Sequence, residues 1–136
     1  MKGAKILLIE DDKWLAESFA RSLKRQFAEV EILSNLDLAF DYFSKFWPAV
    51  IVADVLVGKK NLFTLLNEMQ SYEDSRKIPI VVLSSLAQQI SPEDVHAFGV
   101  VSVLDKTKIT PGELRDEVKK ILDEAHSLKG GDGYAK

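Results

Sequence analysis

The sequence predicts an α/β protein built on a doubly wound, five-stranded parallel sheet, a (βα)5 three-layer sandwich. Five short strand-sized runs recur, apolar throughout rather than alternating except for a partly polar second one, as strands covered on both faces are. Longer segments of helical periodicity separate them. The chain has 136 residues, the length of one domain. Its longest apolar runs are strand-sized, far below the ~20 residues that span a bilayer.

Each element follows from local pattern. Lys5-Ile6-Leu7-Leu8-Ile9 is the first strand and ends in Glu10-Asp11-Asp12. Leu15, Phe19, Leu23 and Phe27 then recur at four-residue spacing on one helix face. Residues 30–33 are brief and partly polar, which fits an edge strand. Ser34 or Asn35 is the expected N-cap of a second helix that aligns Leu36, Phe40, Phe43 and Trp47 and stops at Pro48. Trp47 is therefore assigned to the core.

Val50-Ile51-Val52-Ala53 forms the third strand and ends at Asp54; Leu62, Leu65, Leu66 and Met69 mark the third helix. Pro79 opens a fourth strand that closes at Ser84-Ser85. Ser91-Pro92-Glu93-Asp94 combines a serine N-cap, a first-turn proline and acids at the positive dipole end, and its helix ends near Gly99. Residues 100–104 form the fifth strand, ending at Asp105-Lys106. Thr110-Pro111-Gly112-Glu113 reads as a capping box for a last helix carrying Leu114, Val118, Ile121, Leu122, Ala125 and Leu128. The domain spans 4–128. Residues 129–136 have nothing to bury and are expected to be a flexible tail.

Composition narrows the function. Apolar residues at 46% and charged residues at 29% describe a soluble globular chain. A net charge of −3 supplies no basic footprint for nucleic acid. The absence of cysteine removes disulfides, thiolate metal sites and cysteine nucleophiles together. No cleavable signal pattern precedes the first strand, so a cytoplasmic protein without membrane contact is expected.

In a doubly wound sheet, ligands bind beyond the carboxyl ends of the strands. Those ends carry Glu10-Asp11-Asp12, Asp54, Ser84-Ser85 and Asp105-Lys106. Carboxylates crowded on one rim repel one another unless a cation neutralises them. Oxygen-only ligands select a hard ion such as Mg²⁺. Asp54 would then be the nucleophile toward phosphorus, forming an aspartyl phosphate. Glu10, Asp11 and Asp54 would hold Mg²⁺, while Lys106 and the Ser84 hydroxyl would reach phosphoryl oxygens.

Taken singly, each residue has a plainer reading. Asp54 would cap the following loop, one of the three consecutive acids would cap the first helix, and Lys106 would be a surface charge. Trp14 either packs partly on the first helix or lies near the metal. His96 and His126 are expected at the surface. Two enzyme classes fit poorly. A flavin or nucleotide binder needs a Ser/Thr/Gly-rich loop after the first strand, and this chain has three acids there. A haloacid-dehalogenase-like phosphatase needs a second aspartate two residues after the nucleophile, where Leu56 stands.

Four motifs in order, Ile-Glu-Asp-Asp, Val-Ala-Asp-Val, Val-Val-Leu-Ser-Ser and Val-Leu-Asp-Lys, resemble those of response-regulator receiver domains of the chemotaxis-regulator kind. The resemblance covers about residues 4–126. It implies a flavodoxin-like fold and a role in two-component or phosphorelay signalling rather than enzymatic turnover, beyond self-catalysed phosphotransfer and slow autodephosphorylation. It implies that Asp54 is the phosphoacceptor, Ser84 the switch hydroxyl and Lys106 the lysine. Glu10, Asp11, Asp54 and the backbone carbonyl of Leu56 are implied as the Mg²⁺ ligands, with Asp12 outside that shell. A sensor histidine kinase, phosphotransfer protein or small phosphodonor would supply the phosphoryl group. A downstream protein would dock on the 91–128 face, where a phosphorylation-linked homodimer also finds its surface.

The chain departs from the family pattern at several positions. Val103 stands where an aromatic ring usually switches orientation. Thr107 replaces a proline whose peptide bond is typically cis; a trans bond is expected here, because a non-proline cis bond costs about 3–4 kcal/mol. Ser85 replaces alanine or glycine. Gly58 replaces a common proline and Asn61-Leu62 a frequent acid–glycine pair, so a mobile 57–61 loop is expected. Apolar Leu56 and Leu86 are expected to hinder the attacking water and give a long-lived phosphoaspartate. Val103 and Thr107 also leave open a second reading, an atypical receiver-like interaction module working with little or no phosphorylation.

Overall fold

The apolar runs become the strands of one parallel sheet in a computed structural model that describes residues 3–43 and 45–135, with side chains to 125. In chain order the strands are β1 (Lys5–Ile9), β2 (Glu29–Leu33), β3 (Val50–Ala53), the two-residue arms β4 (Leu56–Val57) and β5 (Lys60–Asn61), β6 (Ile80–Ser84) and β7 (Val100–Asp105). The helices are α1 (Lys13–Leu23), α2 (Ala39–Phe43), α3 (Leu62–Met69), α4 (Pro92–Val95) and α5 (Pro111–Ala135). The main sheet has the order β2-β1-β3-β6-β7, all parallel, with β2 on one edge. This is the predicted doubly wound three-layer architecture. Among the described residues, no helix is long and apolar enough to cross a membrane.

Strand alternation explains why the runs are apolar at every position. Leu7, Ile9, Ile51, Ala53, Ile80 and Val82 project into one half of the core, with α2 and α3 over them. Their sequence neighbours Ile6, Leu8, Val50, Val52, Val81 and Leu83 project into the other half, under α1 and α5. Burying a large aliphatic side chain stabilises by roughly 1.5–3 kcal/mol, so neither face tolerates polar alternation. A register slip would leave both faces apolar; what pins the register is the strand ends, where polarity begins.

The helix starts follow their capping chemistry. Asp12 accepts the Leu15 N–H at 3.1 Å and caps α1. Asn61 accepts the Phe63 N–H at 2.8 Å and caps α3. At α5 the predicted box is reciprocal: Thr110 Oγ1 accepts the Glu113 N–H at 3.1 Å, and Glu113 Oε1 accepts the Thr110 N–H at 2.9 Å. Ser91 precedes α4 as expected, but its side chain makes no capping bond. Its carbonyl accepts the Asp94 N–H instead.

Several expectations are corrected. The second helix spans only Ala39–Phe43, because Asn35 spends its side chain on the Asp37 N–H, closing a turn where a helix start was expected. Trp47 is 48% exposed rather than core; Phe46 is buried instead. The proline that follows disfavours helical backbone at Trp47, and the Trp47 ring packs T-shaped against Phe43 with centroids 6.0 Å apart. The 57–61 stretch, expected as a loop, is largely the β4–β5 hairpin, with Leu56 opposite Asn61 and Val57 opposite Lys60. The last helix, expected to carry residues up to Leu128, has its backbone helical through Ala135; extending a nucleated helix requires no new nucleus. Lys136 and the side chains of His126 and Leu128 lie outside the described residues.

Gly99 ends the helical turn after α4 with φ of 85°, and a Cβ there would stand 3.4 Å from Gln70 Nε2. Gly99→Ala is expected to destabilise the fold by about 1–2 kcal/mol, measured as a lower urea midpoint with an unchanged slope.

Candidate functional site

The sheet's own hydrogen bonds carry the candidate residues to one rim. Glu10 follows β1 and donates its N–H to Leu33 O; Asp54 follows β3 and donates to Ile9 O; Lys106 follows β7 and donates to Ser84 O. Ser84 closes β6 in register with Asp105. The four residues thus sit on three neighbouring strands, β1, β3 and β6, and on β7 beside them. Their proximity comes from strand order.

Glu10, Asp54 and Ser84 are buried. The Lys106 ammonium bridges the two acids, 3.0 Å from Glu10 Oε1 and 2.5 Å from Asp54 Oδ2. Backbone donors serve the remaining oxygens: the Asp12 N–H reaches Glu10 Oε2 at 2.9 Å, and the Val55 N–H reaches Asp54 Oδ1 at 2.7 Å. Every oxygen of the buried pair therefore has a partner, as burial of charge demands. Burial pushes the Glu10 carboxyl above its usual range, although the Asp12 N–H and Lys106 oppose it. For Lys106, burial alone would lower the ammonium's pKa. The hydrogen bonds to Asp54 and Glu10 outweigh that and leave it raised.

Ser84 Oγ accepts the Leu86 N–H at 3.0 Å, which leaves the hydroxyl proton to donate elsewhere. Asp11 is exposed and does not join the Lys106 cluster; its Oδ2 accepts the Gly58 N–H at 2.7 Å. Asp12 caps α1. For this reason no group of three acidic, histidine or cysteine side chains gathers closely enough to hold a metal ion among the described residues. The donors that face the rim are nonetheless all hard oxygens, which fits Mg²⁺ in kind.

Residues around the rim differ in what sequence disclosed of them. Trp14 is 84% exposed, so the expected partial packing on α1 is not found. Leu56 and Leu86 are about half-exposed. His96 is exposed. The Lys106–Thr107 bond is trans, as expected; among the described residues no peptide bond is cis. Asp105 Oδ1 accepts both the Thr107 N–H at 2.9 Å and its hydroxyl at 2.6 Å, a clamp that sequence reasoning missed. That clamp holds the Asp105 carboxyl below its usual range. Also missed was Gly58 as the partner of Asp11. Its signal was available: glycine at the first position of a two-residue hairpin turn.

A lysine, a hydroxyl and two buried acids thus converge on the carboxyl edge of a doubly wound α/β sheet. A profile described as the response regulator receiver domain matches residues 6–119. The chain belongs to that family, whose members are generally signalling modules. It is 27% identical over 122 residues to a protein-glutamate methylesterase/protein-glutamine glutaminase from Anaeromyxobacter dehalogenans. The match covers 88% of this chain and 34% of the relative, so the chain spans about a third of that protein. Among solved structures it is similar to the chemotaxis response regulator CheY4 of Vibrio cholerae, at 22% identity and a TM-score of 0.75, covering 88% and 98% of the two chains. A CheY-like receiver domain protein from Methanospirillum hungatei superposes with a TM-score of 0.77 at 18% identity, covering 93% and 98%. At these identities the structures show the shared fold.

Removing Lys106 strands two buried carboxylates. Lys106→Met is expected to cost about 3 kcal/mol of stability in metal-free buffer, read by urea denaturation. Because the folded pKa is raised, this contribution is fully present below the ordinary value of 10.5 and is lost as pH rises through the higher folded value. From neutral pH, where both carboxyls are ionised, the gap between wild type and variant should stay constant up to that pH and close above it.

Proposed function

We propose that this domain is a phosphoacceptor switch, phosphorylated on Asp54 in a Mg²⁺-dependent reaction that alters a partner-binding surface. The observation that carries the reading is the Lys106 ammonium bridging Asp54 and Glu10 at the carboxyl edge of the sheet. An ammonium against one oxygen of a buried aspartate is placed to follow that oxygen when a phosphoryl group is attached to it.

Glu10, Asp11, Asp54 and the Leu56 carbonyl would hold the Mg²⁺, which when bound neutralises charge on the phosphoryl oxygens. A carboxylate oxygen of Asp54 attacks the phosphorus; the Asp54 O–P bond forms as the bond to the donor's leaving group breaks. With a phosphohistidine donor, a ring nitrogen takes the bonding pair. Lys106 shifts its hydrogen bond to a phosphoryl oxygen, and the free hydroxyl proton of Ser84 donates to another. A sensor histidine kinase, a phosphotransfer protein or a small phosphodonor can supply the group, and the 91–128 face presents the result to a downstream protein or a second copy. Half-exposed Leu56 and Leu86 supply no polar group to orient a hydrolytic water, which favours a long-lived phosphoaspartate.

Mass spectrometry of the chain after incubation with Mg²⁺ and a small acyl phosphate is expected to show one phosphoryl group, absent in Asp54→Asn and after metal chelation. In a Trp47→Phe background, Mg²⁺ with beryllofluoride should change the fluorescence of the exposed Trp14. No incorporation together with no fluorescence response would instead mark a domain that signals by docking alone. Leu56→Asn with Leu86→Glu is expected to speed loss of the phosphoryl group about tenfold, equivalent to ~1.4 kcal/mol in the barrier. A wild-type half-life of seconds would overturn the long-lived intermediate.

A further inference from the structure

The contact between Asp11 and Gly58 joins two loops 47 residues apart in sequence. Gly58 opens the turn between β4 and β5 with φ of +64°, and open space surrounds the position where a Cβ would stand. Close packing therefore does not require glycine there; the left-handed backbone does. That backbone presents an N–H to Asp11 Oδ2 at 2.7 Å. Proline, common at this position in receiver domains, has no such N–H to donate.

We propose that Gly58 is a positioning residue for Asp11: its N–H holds this carboxylate away from the Glu10–Asp54 pair, and a divalent cation takes Asp11 from it on binding. The inference rests on the reading of Asp11 as a Mg²⁺ ligand. Hydrogen bonds to charged acceptors are among the stronger ones, so the competition weakens apparent cation affinity by about tenfold. It also ties cation occupancy to the whole hairpin. Leu56, whose carbonyl is a proposed ligand, pairs with Asn61, and Asn61 caps α3 through the Phe63 N–H. Lys60 on the same arm is ion-paired with Asp37, beyond β2. Releasing Gly58 therefore acts on the turn end of the hairpin, beside Lys60 and one residue pair from the connection to α3.

The experiment is a MgCl₂ titration of the ¹⁵N-labelled full chain by NMR, reading the amides of Gly58, Val55 and Asp12. The last two are bonded to Asp54 and Glu10 and report the cation's arrival. The Gly58 proton is expected to move upfield and its solvent exchange to rise about tenfold, with the same midpoint as the other two. Asp11→Asn keeps an acceptor for Gly58 but is a poor cation ligand, so its Gly58 amide should not respond. Gly58→Asn keeps the N–H and tolerates positive φ, so its Mg²⁺ affinity should stay within about twofold of wild type, well inside the tenfold effect of the competition. Shifts at Val55 and Asp12 without change at Gly58 would overturn the positioning role and leave the metal site standing. No response at any of the three at saturating Mg²⁺ would overturn both.

Discussion

Two carboxylates, Glu10 and Asp54, give up nearly all their water at the carboxyl edge of the sheet, and the Lys106 ammonium between them makes that possible. Isolated buried charges cost many kcal/mol. Here the cost is met by one cation and by backbone N–H donors from Asp12 and Val55. The arrangement still carries a net negative charge. It is therefore a site in which an added cation, or a phosphoryl group accompanied by one, improves the electrostatics. The raised carboxyl of Glu10 reflects first its burial, with the neighbouring Asp54 charge adding to it.

The rest of the fold serves to hold this cluster in place. Strands apolar on both faces lock into two halves of a core, so their ends cannot slide without burying polar residues or exposing apolar ones. Asp12 links the site to α1, and Asn61 links the neighbouring hairpin to α3. Beyond Lys106, the hydroxyl and N–H of Thr107 close on Asp105. A side-chain clamp thus shapes the turn where a proline ring would otherwise do so. Val103 is partly buried against the same half of the core as α3. The β4–β5 hairpin beside the site is held to Asp11 through the Gly58 N–H.

Sequence pattern made the strands legible because their chemistry is local and uniform: an unbroken apolar run of strand length between helical segments has few other homes. The capping box at Thr110 was legible for the same reason, since a cap acts within one turn; that an acid caps α1 was legible too, but not that it is Asp12. Where two local signals competed, sequence was less informative. Asn35 offered a helix cap and a turn, and the turn won. Trp47 was the residue the helical spacing pointed to, and Phe46, which that spacing passed over, is the one buried. The α5 backbone continues through Gly130 and Gly131, where composition argued for an end.

By itself the sequence determined the doubly wound sheet, the five strand ends and the identities of Glu10, Asp11, Asp54, Ser84 and Lys106 as the residues at those ends. It did so because a parallel sheet brings its carboxyl ends to one edge whatever the loops do. Which of these residues touch was decided only by the tertiary structure. Lys106 joins Glu10 and Asp54, while Asp11, adjacent to Glu10 in the chain, turns to a backbone N–H donated from a distant hairpin. That choice depends on where donors converge in space, over separations of 47 to 96 residues, and no local pattern encodes it.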